Sequence, residues 1–92
     1  MRIVWTDDAL SDLARVLEFL APVNPRAAAR VSRRLRTGPI SLLRTNPRLG
    51  MRMPDFAPRE IRRLLVDDYE LRYDIVGNTV RVLNVWPTRE DR

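Results

Sequence analysis

The stretch Tyr69-Glu70-Leu71-Arg72-Tyr73-Asp74-Ile75-Val76-Gly77-Asn78-Thr79-Val80-Arg81-Val82-Leu83-Asn84-Val85-Trp86 decides the fold. Its first half alternates, with Tyr69, Leu71, Tyr73 and Ile75 on one face and Glu70, Arg72 and Asp74 on the other. A period of two is the signature of a strand with one buried face. Gly77-Asn78 marks a tight hairpin turn. The second half is apolar on both faces, Val80 and Val82 on one and Leu83 and Val85 on the other, which predicts a central strand covered on both sides. Pro87 has no N–H to continue a ladder and ends it.

Working outward, Arg59 to Val66 reads as a strand joined to this hairpin by the turn Asp67-Asp68. Residues 51–58, with two prolines, read as an exposed loop. At the other end, Arg2 to Trp5 is a short strand rich in β-branched and aromatic residues. Thr6 or Asp7 can cap the helix that follows, and Ala9, Leu13, Val16, Leu17 and Leu20 recur at helical spacing. Pro22 ends that helix, and Asn24-Pro25 starts another, with asparagine as N-cap and proline at the first helical position. Ala28, Val31, Leu35 and Leu42 keep one apolar phase across Gly38-Pro39, which predicts a single kinked helix over 25–45. Asn46-Pro47-Arg48-Leu49-Gly50 closes it.

The order is β-α-α-β-β-β, with strands near 2–5, 59–66, 69–76 and 79–86 and helices near 8–20 and 25–45. Packing two helices on one face of a mostly antiparallel four-stranded sheet is the economical solution, an α+β fold. Leu13, Leu17, Val31, Leu35, Leu71, Ile75, Val82 and Val85 are the expected core. A chain of 92 residues has room for a single domain, here 1–92. A domain this size buries roughly 60–65% of its unfolded surface, so its stability margin is small.

All 17 cationic side chains are arginine, and cysteine and histidine are absent. Without cysteine no disulfide holds the fold, which suits the cytoplasm. No apolar run reaches the ~20 residues of a membrane span. Charge is uneven: residues 24–66 hold eleven arginines against Asp55 and Glu60, a net of +9, while the segments on either side each net −2. A basic block of this kind attracts an acidic protein or a nucleic acid. The zinc and thiol chemistries have no ligands or nucleophile here, and no Gly-rich phosphate loop or carboxylate cluster suggests a cofactor or metal. RNA cleavage would need proton transfer as well as positive charge, and arginine cannot readily transfer protons. Tyr69, Tyr73 and a few carboxylates are the other candidates, and both tyrosines share one face of a hairpin strand, where core packing is the simpler role. No enzyme is demanded.

Several pieces together resemble the ParE/RelE family of bacterial toxins, the toxic halves of toxin–antitoxin pairs, and its ParE branch in particular. They are the opening strand ending in Trp5, Ala9-Leu10-Ser11-Asp12-Leu13, Asn24-Pro25-Arg26-Ala27-Ala28, Asn46-Pro47-Arg48-Leu49-Gly50, Arg59-Glu60-Ile61, Tyr69-Glu70-Leu71-Arg72-Tyr73, and the last strand running into Arg89-Glu90-Asp91. The resemblance covers essentially the whole chain. It implies the same β-α-α-β-β-β fold, a cytoplasmic protein concerned with plasmid or chromosome stability, and a hetero-oligomer with an antitoxin whose acidic C-terminal arm wraps the toxin. ParE-like members poison DNA gyrase, whereas RelE-like members cut mRNA in the ribosome. In the nuclease branch a basic residue precedes the turn that corresponds to Asp67-Asp68, an arginine follows the last strand and a tyrosine lies near the C-terminus. Here Leu65 stands at the first position, Arg89 matches the second, and the sequence stops at Arg92 before the third. The resemblance therefore points to a gyrase inhibitor without catalysis. The alternatives are a ribosome-dependent mRNA endonuclease and a basic binding module without toxicity. Direct nucleic-acid binding is not expected. Trp86, Arg89, Arg59 and Arg62 are the expected target contacts, and Arg26, Arg30, Arg33, Arg34 and Arg63 the expected antitoxin contacts.

Overall fold

In the computed structural model, which describes residues 1–88, the hairpin of residues 69–87 lies in the middle of the sheet. Five strands, β1 (Arg2–Trp5), β2 (Met51–Arg52), β3 (Ile61–Val66), β4 (Tyr69–Val76) and β5 (Thr79–Pro87), lie in the order β1-β5-β4-β3-β2. Only the β1–β5 pair is parallel. Helices α1 (Asp7–Leu20) and α2 (Pro25–Thr37) cover one face.

The apolar residues of β5 do not divide between two faces as the alternation predicts. Tyr73 pairs with Val82 and Arg72 with Asn84, so Leu83 is an extra residue, a β-bulge. The bulge shifts the phase by one, and Val80, Val82 and Val85 are all buried in one core. Leu13, Leu35, Leu71 and Tyr73 join them, while Leu17, Val31 and Ile75 pack at its margin.

Both helix starts are as read. The Thr6 hydroxyl accepts the Ala9 N–H at 3.2 Å and donates to the Val82 carbonyl at 2.8 Å, so the cap also pins α1 to β5. Asn24 accepts the Ala27 N–H at 3.0 Å. The kinked helix is different. Backbone at Gly38 turns away from helical values (ψ −126°), α2 stops at Thr37, and residues 39–44 form a 3₁₀ helix. At three residues per turn, positions 40 and 43 stack on one side. Ile40 and Leu43 are therefore the core residues, and Leu42, expected on the buried face, is 55% exposed.

The 51–58 segment is more ordered than an exposed loop. Met51 and Arg52 pair with Arg63 and Arg62 as a fifth strand, and Pro54–Phe56 makes a 3₁₀ turn. Its lead-in, Asn46 to Gly50, is locked from below. The Tyr73 hydroxyl accepts the Gly50 N–H at 2.9 Å and donates to the Pro47 carbonyl at 2.7 Å. Arg62 donates to the Gly50 carbonyl at 2.7 Å and to Glu60 at 2.9 Å, and Arg48 pairs with the same carboxylate. A Cβ on Gly50 would meet the Tyr73 hydroxyl and the Arg63 carbonyl at 2.7 Å, so only glycine lets the loop lie this close. The β3–β4 turn is tied in similarly: Asp67, at φ +56°, receives both arms of Arg34 at 3.0 and 3.1 Å.

Two outcomes check this arrangement. Leu35→Ala should cost about 2–5 kcal/mol, the usual range for a buried leucine, and Leu42→Ala about 0.5 or less. Equal losses in urea unfolding would mean that the segment is a continuous α-helix after all. The second concerns Glu60. Its carboxyl lies below the ordinary value, chiefly through the Arg62 hydrogen bond, against burial and with help from Arg48. A depressed folded value means that the contribution is complete above the unfolded value of about 4.3 and lost as pH falls through the lower folded value. Glu60→Gln should therefore melt below the wild type at pH 7, and the gap should narrow as pH falls from the unfolded value through the lower folded one. A gap that stays constant with pH would show that the charge of Glu60 contributes nothing.

Candidate functional site

The sheet face turned away from the helices is built from cross-strand rows, because residues paired across antiparallel strands share a face. One row joins Leu65, Glu70 and Trp86, the next Arg63 and Arg72, the next Ile61, Asp74 and Arg81. The Arg72 guanidinium sits 4.6 Å from the centre of the Trp86 ring and 5.7 Å from that of Phe56, which the Pro54–Phe56 turn brings over the sheet. A cation held over aromatic faces is attracted by the ring quadrupole. Its Nη2 donates to Glu70 at 3.3 Å, Glu70 also pairs with Arg63 at 3.5 Å, and the buried Arg72 Nε has no acceptor among the described residues.

In the third row Asp74 is 2% exposed and receives three hydrogen bonds. Arg81 donates through Nε at 2.9 Å and Nη2 at 2.6 Å, and Arg59 through Nη2 at 2.9 Å. Burial alone would raise the Asp74 carboxyl, but the bonds from Arg81 and Arg59 outweigh it and hold the group below the ordinary carboxylate value.

The edge of β5 is the second surface. β1 ends at Trp5, opposite Val82, and α1 lies along the remainder. There the Asp12 carboxylate accepts the Val85 N–H at 3.0 Å and the Asn84 amide at 3.3 Å, and it pairs with Arg15. Asp12, Arg15, Val16 and Phe19 of α1 face Val85, Trp86 and Pro87 across a groove of about 410 Å³. Phe19, on its wall, is 83% exposed.

The structure separates the residues expected to act together. Trp86, half-buried, and Arg59 are on the outer sheet face. Arg62, expected among the target contacts, is turned inward: its side chain is 14% exposed and committed to Glu60 and the loop carbonyls. Arg89 lies outside the described residues. Of the expected antitoxin contacts, Arg26, Arg30 and Arg33 line exposed α2, Arg34 holds Asp67, and Arg63 is on the opposite side of the sheet. Asp12 and Phe19 were not singled out in the sequence. The signals were there: an acid inside the buried stripe Ala9–Leu13, and an aromatic out of phase with Leu13, Leu17 and Leu20.

Tyr73 is not placed for proton transfer. The Tyr73 hydroxyl is buried with both its hydrogen-bonding roles taken, and burial raises the pKa of both Tyr73 and Tyr69.

Comparison with known proteins agrees with the fold. The family model of the ParE toxin of type II toxin–antitoxin systems matches residues 3–92. The Caulobacter vibrioides protein named Toxin RelE2 is 31% identical over 84 residues, covering 91% of each chain. A solved structure described as the chromosomal ParDE system from P. aeruginosa superposes with a TM-score of 0.79 at 17% identity, covering 97% of both chains, which establishes the shared fold. The chain belongs to the ParE toxin family of type II toxin–antitoxin systems.

Proposed function

We propose that this toxin inhibits DNA gyrase through protein contacts, without catalysis, and that an antitoxin with an acidic arm neutralises it in the cytoplasm. The observation that carries the reading is the chemistry of the outer sheet face. It offers guanidinium groups and an aromatic ring, the side chains most used at protein hot spots, and no histidine, lysine or free tyrosine hydroxyl to move a proton. Trp86 and Arg59 are the target contacts on that face, and Arg89 is the third target contact. Arg62 supports the loop behind them.

The antitoxin arm suits the other side. Arg26, Arg30 and Arg33 present positive charge on α2, and Phe19, Val16 and Pro87 offer apolar contact along the groove. The β5 edge is poorly suited to an added strand, since the Val85 N–H is taken by Asp12 and Pro87 has none, so side chains rather than backbone would hold the arm. Trp86 belongs to both surfaces: its ring stacks on Arg72 and also lines the groove. An arm seated in the groove would cover a residue that the target needs, which is a physical route to neutralisation.

Expression without antitoxin should trigger DNA-damage signalling, and the purified chain should block supercoiling by purified gyrase. The second reading follows from the RelE name of the Caulobacter vibrioides relative. Cleavage of mRNA on ribosomes, with supercoiling unaffected, would establish it and overturn the first. Within the gyrase reading, Arg89→Ala should fold normally and keep antitoxin affinity within about tenfold, roughly 1.4 kcal/mol, while toxicity falls sharply. Full toxicity in that variant removes Arg89 from the contact.

A further inference from the structure

The Asp74 row carries more than an internal ion pair. One arginine is enough to neutralise a buried carboxylate, and Arg81 already does so through two hydrogen bonds. Arg59 is therefore surplus, and the cluster keeps one net positive charge at the surface. A guanidinium has five N–H donors. Asp74 takes two from Arg81 and one from Arg59, and the others have no acceptor among the described residues. The two arginine side chains are 41% and 57% exposed, while Asp74 is out of reach below them. An approaching anion meets two forks whose rotamers Asp74 has already fixed, and it relieves the repulsion between two cations sharing one carboxylate.

We infer that Arg59 and Arg81, clamped on buried Asp74, form a recognition site for an aspartate or glutamate side chain of a protein partner. The flanks favour a protein over a nucleic acid. A polyphosphate needs several neutralising charges in a track. The triad itself has a surplus of one charge, and Arg63 and Arg72, which share Glu70, leave one more beside it: two separated charges rather than a track. The shoulders of the site are aliphatic: Val4, paired with Arg81, and Val76, two residues from Asp74, are 36% and 54% exposed. They offer van der Waals contact to a peptide and no stacking platform for bases. The site depends on this triad alone and not on which protein the toxin acts on.

The test is a titration of the folded chain, its arginine Nε–Hε groups observed by NMR, with a blocked peptide of alternating glutamate and alanine. The Arg59 and Arg81 signals should shift. Arg59→Gln should bind the peptide roughly fivefold or more weakly, a loss in the range of one charge-assisted hydrogen-bond pair, and should melt near the wild type because Arg81 retains both bonds to Asp74. Arg44→Gln removes the same charge from the exposed end of the 3₁₀ helix, outside both proposed partner surfaces, and should bind as the wild type does. Equal weakening in the two variants would reduce the effect to net charge and overturn the site. So would shifts confined to Arg26, Arg30 and Arg33. An oligothymidine that binds more tightly than the peptide and loses more affinity in Arg59→Gln would reassign the triad to phosphate.

Discussion

A strand inside a sheet must satisfy its backbone on both sides, and most of this molecule is arranged around doing so for β5. On one side β4 pairs along its whole length, with a bulge. On the other, β1 lasts only from Arg2 to Trp5. The Thr6 cap bridges the end of β1, accepting from α1 and donating to β5, and farther along α1 Asp12 supplies a carboxylate where a strand would have supplied a carbonyl. An unpaired buried N–H costs about as much as a lost hydrogen bond, so α1 is held tightly against this edge. The groove beside Trp86 exists because a helix, not a sixth strand, completes β5.

Arginine serves two purposes in the same chain. Some guanidinium groups build the fold: Arg62 fills carbonyls of the 48–50 loop, and Arg34 holds a turn residue with positive φ. Others leave donors at the surface, as Arg59 and Arg81 do. A lysine could replace neither class well, since a single ammonium cannot grip a carboxylate with two parallel bonds. The net charge thus overstates the free cationic surface, because buried or half-buried acids such as Glu60, Glu70 and Asp74 each hold more than one arginine.

The fold puts helices on one side of the sheet and the arginine-aromatic rows on the other. Trp86 is where the two meet. That placement follows from β5 being at once the strand that borders α1 and the strand that faces Arg72.

The sequence by itself determined what depends on near neighbours. Alternation from Tyr69 to Val76, the turn at Gly77, the caps at Thr6 and Asn24, and the apolar stripe of α1 are all set by residues within four positions of one another, and each is in the structure where it was read. The fold class followed from their order, and the family from the motifs that punctuate it. What only the tertiary structure decided depends on segments far apart in the chain. The extra residue at Leu83 is visible only against its partners on β4. The pairing of Met51 with Arg63 turns apparent loop into strand. The change from α to 3₁₀ after Gly38 moves burial from Leu42 to Ile40 and Leu43. An arginine looks the same in sequence whether it faces water or a carboxylate, so Arg59 and Arg62, three positions apart, could not be told apart until the loop carbonyls drew one inward and Asp74 held the other at the surface.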